Sequence, residues 1–85
     1  MSDPRTTQLA REQAATLLAQ HGAPDSEPFY ETIMIRDGGY IGRRFSRGHL
    51  SALWTATDNE IRVIDEEHHE LGHVHVDAPQ LPRAA

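Results

Sequence analysis

The chain has 85 residues, no cysteine and a net charge of −5 with histidine neutral. A length of this order makes one small domain, which buries roughly two-thirds of its unfolded surface and leaves no room for a cleft between lobes. Without cysteine there are no disulfides, thiolate ligands or cysteine nucleophiles, as suits a reducing cytoplasm, and the acidic balance argues against general affinity for phosphate backbones.

The first segment carries helix signals. Asp3 is placed to cap it, Pro4 suits the first helical position, and Leu9, Ala10, Ala14, Leu17, Leu18 and His21 fall on one stripe. Gly22 is placed to end the helix in a left-handed conformation and Pro24 forbids continuation, so the expected span is residues 4–21. Residues 25–28 form a short polar linker.

From Phe29 onward the period changes to two. Residues 30–36 place Ile33 and Ile35 on one face, and Asp37-Gly38-Gly39 supplies a hairpin turn. Residues 40–46 follow, with Ile41 and Phe45 two pleats apart, and Arg47-Gly48 is the next turn. Residues 50–57 alternate Leu50, Ala52, Trp54 and Ala56 against Ser51, Leu53, Thr55 and Thr57. Asp58-Asn59 turns the chain into residues 60–65, with Ile61 and Val63 on one face. After a charged loop, residues 71–77 set Val74 and Val76 against His73 and His75, and the proline-containing tail 78–85 reads as flexible. The expected fold is α+β: a single domain, 1–85, with one N-terminal helix packed on an antiparallel meander sheet of about five strands.

The sharpest chemical motif is His69-Glu70-Leu71-Gly72-His73, which resembles the H-E-x-x-H string of zinc metalloproteases. On a helix both imidazoles reach one metal and Glu70 acts as base on its water. Three features oppose that reading. Gly72 weakens a helix, and the Val74-His75-Val76 alternation is a strand pattern. In a strand, His69 and His73 lie about 13 Å apart. The metzincin extension wants Gly at position 76 and His at position 79, where this chain has Val76 and Pro79. No cofactor is therefore expected. The metal alternative uses His69, His73 and His75, with Glu70 as base, and its strongest form is a minimal zinc hydrolase.

Charge is unevenly placed. Arg36, Arg43, Arg44 and Arg47 gather around the second strand, whereas Asp58, Glu60, Asp65, Glu66, Glu67 and Glu70 gather near the fourth. This predicts pairing across the sheet or head-to-tail contact between copies. Tyr40, Arg43, Arg44 and Arg47 also mix an aromatic ring with guanidinium forks, as single-stranded nucleic-acid sites do, but the acidic whole counts against that alternative. Trp54 is either a core anchor beside Ala52 and Ala56 or an exposed hot spot on a sheet face one helix cannot fully cover. No nucleophile elbow or phosphate-cradling loop is present, and neither a membrane-spanning run nor a signal peptide. The expectation is a small soluble cytoplasmic protein, non-catalytic, working through a protein partner or a homodimer, with Tyr40, Arg43, Arg44, Arg47 and Trp54 as candidate contacts.

Overall fold

The computed structural model describes residues 4–76. One helix, α1 (Pro4–Gln20), packs on one five-stranded antiparallel sheet: β1 (Phe29–Arg36), β2 (Gly39–Arg47), β3 (Leu50–Thr55), β4 (Glu60–Ile64) and β5 (Glu70–His75). Strand order in space equals order in the chain, so β1 and β5 are the two edges. The molecule measures 42 × 34 × 21 Å, and the short dimension is one helix layer on one sheet layer.

α1 ends one residue earlier than its apolar stripe suggests. His21 lies in the terminal turn, Gly22 takes φ +100°, and the Ala23 amide donates to the Leu18 carbonyl. This is the Schellman closure that the glycine allows. The expected cap Asp3 and tail 78–85 lie outside the described residues. Thr7, Ala10, Ala14, Leu17 and Leu18 form the buried face of α1. Two fully buried alanines, four residues apart, let the helix approach the sheet closely.

The other half of the core comes from one face of the sheet. Register pairs Arg43 with Trp54 and Trp54 with Ile61, and pairs Phe45 with Ala52 and Ala52 with Val63. Directly paired residues share a face, so alternation in β2, β3 and β4 delivers Phe45, Leu50, Ala52, Trp54, Ile61 and Val63 to α1, all buried. Each large apolar side chain so buried contributes about 1.5–3 kcal/mol relative to exposure. Trp54 is fully buried, its indole Nε1 donating to Asn59 Oδ1 at 2.9 Å. The core-anchor alternative therefore describes it.

The turns explain the remaining departures from the sequence pattern. Asp37 and Gly38, both at positive φ, form the two-residue turn between β1 and β2, as hairpin twist demands. The next turn is Gly48-His49, one residue later than expected, because Arg47 stays in β2. β3 stops at Thr55, before the loop 56–59, where Asn59 takes φ 52°. The register slips where Met34 pairs with Gly42 but Ile35 pairs with Tyr40, leaving Ile41 as an extra residue. This bulge turns Ile41 away from Phe45's face, to line a concavity with Met34 and Leu53. The expectation that Ile41 and Phe45 point the same way fails for that reason.

Candidate functional site

α1 covers β2, β3 and β4. One helix cannot also cover the edge strand, so the helix side of β1 stands beyond the core. Among the described residues the exposed large apolar side chains are Tyr30 (60%), Ile33 (55%), Ile35 (60%), Tyr40 (39%) and Leu71 (41%). Four of these five lie in the β1–β2 hairpin. Ile33 and Ile35 do share a face, as their spacing predicts, but that face meets solvent.

The hairpin is fastened to the helix by ions. Glu31 lies between Ile33 and Phe29 on the helix side of β1, and Arg11 of α1 grips its carboxylate with two hydrogen bonds, Nε to Oε1 at 2.6 Å and Nη2 to Oε2 at 3.0 Å. Arg43 of β2 donates to the same Oε2 and, through Nε, to the Tyr40 hydroxyl at 3.3 Å. The Glu31 pKa is held below its ordinary value, first by the Arg11 hydrogen bond and then, against some desolvation, by Arg43. A mid-strand carboxylate in line with two isoleucines was the available signal for this cluster.

Stability should respond to pH accordingly. A depressed folded pKa gives stabilisation that is complete above the ordinary value of 4.5 and lost as pH falls through the folded value. Glu31→Gln should therefore be less stable than wild type at pH 7, by about 1–2 kcal/mol, between an exposed and a sealed ion pair. The gap should close in acid, and urea denaturation across that range would measure it.

Of the arginines expected to face the 58–70 acids, Arg43 and Arg47 pair elsewhere. Arg43 binds Glu31, and Arg47 stacks its guanidinium 5.1 Å from the Phe29 ring centroid with Nη1 3.7 Å from Asp25. Phe29 in turn stacks on buried Phe45, ring centroids 5.8 Å apart. Arg44 projects on the opposite face and donates to Ser51 Oγ at 3.1 Å. Across the sheet, Arg62 meets Glu70 at 3.2 Å. Of the candidate contacts, Tyr40 and Arg43 thus belong to one hairpin cluster. Arg44 lies on the open face, Arg47 ties down the linker, and Trp54 is internal.

The open face has a concavity of about 290 Å³ lined by the apolar Met34, Ile41 and Leu53 and by the charged Arg36, Asp58, Glu60 and Arg62. Its apolar and mixed-charge lining offers packing and ion pairing but no convergent nucleophile and base.

The histidine string lies in a loop and strand. The His69 ring, before β5, is 3.2 Å from Asp65 Oδ2, whereas His73 Nε2 is 3.1 Å from Glu60 Oε1 across the sheet. Asp65 also accepts the Glu67 and His69 amides at 2.9 Å, which lowers its pKa, the His69 amide foremost. Among the described residues no group of three or more His, Asp or Glu side chains is placed to hold a metal. No helix there is long and apolar enough to cross a membrane. No family model, curated protein or solved structure matches the chain.

Proposed function

We propose that this protein is a non-catalytic interaction module whose contact surface is the β1–β2 hairpin. The observation that carries the reading is the concentration of Tyr30, Ile33, Ile35 and Tyr40 on one uncovered edge hairpin. Scattered single apolar residues on a surface need no explanation, but a group on one rigid element exposes apolar area that association would bury. Rigidity is the second support. The Arg11–Glu31–Arg43 cluster holds the hairpin to α1, so a partner meets a preformed surface and little ordering entropy is lost on docking.

The test is site-specific photo-crosslinking in cells of the source organism, with a benzophenone side chain at position 33 or 35 and at exposed Gln8 as control. Defined adducts from 33 and 35 but none from 8 are expected. Absence of adducts from both hairpin positions would remove the reading.

A further inference from the structure

We infer that the hairpin's partner is a second copy of this chain, joined antiparallel along β1 so that two five-stranded sheets become one of ten strands; this rests on the hairpin being a contact surface at all. The two edges of the sheet differ in how they are protected. β5 carries Glu70, His73 and His75, contains Gly72, and itself holds the extra residue, Leu71, of its register slip against β4, whereas the extra residue of the β1–β2 slip, Ile41, lies on the inner strand β2. Charges and irregularities of that kind discourage strand addition. β1 is eight residues long, and its 32–35 stretch, Thr-Ile-Met-Ile, has no charge. Its one mid-strand charge, Glu31, is engaged by Arg11 and Arg43 and so does not guard the edge.

The ends of β1 are complementary in an antiparallel sense. Acidic Asp25 and Glu27 precede the strand and Arg36 closes it. Two copies related by a two-fold axis perpendicular to the sheet bring the acidic end of each strand, with Glu27 three positions before Tyr30, toward the end that Arg36 closes in the other copy; Asp25 is already 3.7 Å from Arg47 of its own chain. That operator also keeps faces matched, so both helices lie on the same side and the helix-side isoleucines of both copies meet. Centred on Ile33, the pairing places Tyr30 opposite Arg36 of the second copy, both on the open face. A parallel arrangement sets like charges together at each end. These features favour a second copy in antiparallel register over an arbitrary extended peptide.

The experiment is sedimentation equilibrium of the purified chain over a concentration series, for wild type, Ile33→Lys and Leu53→Asp. Single nitroxide labels go on Thr32→Cys and His75→Cys, which the cysteine-free chain permits without other changes. The expected result is a concentration-dependent dimer whose Kd rises about tenfold or more in Ile33→Lys and is unmoved in Leu53→Asp. Labels at position 32 should approach each other, with those at 75 farther apart by about eight strand spacings, roughly 38 Å before twist. Should Ile33→Lys fail to fold, the label distances in the otherwise native chain still read the interface.

A monomer at every concentration overturns the inference, as does a dimer lost in Leu53→Asp but kept in Ile33→Lys. The crosslinking experiment separates the two readings. Adducts from position 33 to a different protein, with the purified chain monomeric, overturn the second copy and leave the hairpin surface standing. No adducts and no dimer remove both.

Discussion

Gly42→Ala should cost about 3 kcal/mol or more, the upper end of what overpacking usually removes. An ideal Cβ built on Gly42 falls 1.8 Å from the Trp54 carbonyl oxygen, 2.9 Å from its carbonyl carbon and 3.1 Å from Thr55 Cα. All three are backbone atoms of the central strand, which carries the main core anchor, and cannot swing aside as a side-chain terminus does. A domain of this size has roughly 4–13 kcal/mol in total, so the loss is a large fraction of it. Thermal unfolding followed by circular dichroism should show a fall of about 12–24 °C. Gly38→Ala is the matched control. Gly38 has φ +81° but nothing within 4 Å of the added carbon, so its cost is the left-handed backbone penalty alone, about 1–2 kcal/mol. Equal stability of Gly42→Ala and wild type would contradict the packing of β2 on β3 described above.

Asn59 should be the next most sensitive position after Gly42. Its Oδ1 accepts from the buried Trp54 indole, its Nδ2 donates to the Val76 carbonyl at 2.9 Å, and its own carbonyl accepts the Val76 amide at 2.8 Å. One side chain thus satisfies the core tryptophan and anchors the segment following β5. Asn59→Gly keeps the φ of 52° accessible but strands the indole N–H, at an expected cost of about 2 kcal/mol. Asn59→Ala adds about 1 kcal/mol of backbone penalty to the same loss. The difference between the variants isolates backbone from hydrogen bond. Trp54 is the sole tryptophan, so its emission reports directly, and a red shift in both variants should accompany the loss.

Much of the architecture was legible because alternation in a half-buried strand is a direct record of which face is covered. Leu50, Ala52 and Trp54 against Ser51 and Leu53 identify β3, and Asp37-Gly38 identifies the turn between β1 and β2 by the positive φ both residues adopt. Two kinds of information were not legible. The bulge that turns Ile41 outward depends on how β1 meets β2, which no single-strand pattern encodes, although Gly42 beside it marks a close approach. The reach of α1 was also hidden. Ile33 and Ile35 share one face by spacing, and only the placement of the helix over β2–β4 shows that nothing covers that face. The arginine-rich stretch is visible as composition, but nothing in the sequence joins it to Glu31. Pairing across 20 residues, from Arg11 to Glu31, requires the helix to have docked.

The order of strands in the sheet has a consequence for how the chain acquires its shape. Each strand lies beside its predecessor, across connections of two, two, four and five residues. Closing such short loops costs little entropy, and a topology dominated by neighbours in sequence folds fast. A chain leaving the ribosome from its N-terminus delivers α1 before there is any sheet for its alanine face to rest on. Once the first hairpin is out, each later strand finds a template already waiting at the growing edge. The opposite edge, β1, gains no further neighbour from the described strands after that hairpin closes. It is the side of the nascent protein exposed longest to other molecules, including a neighbouring copy on the same message.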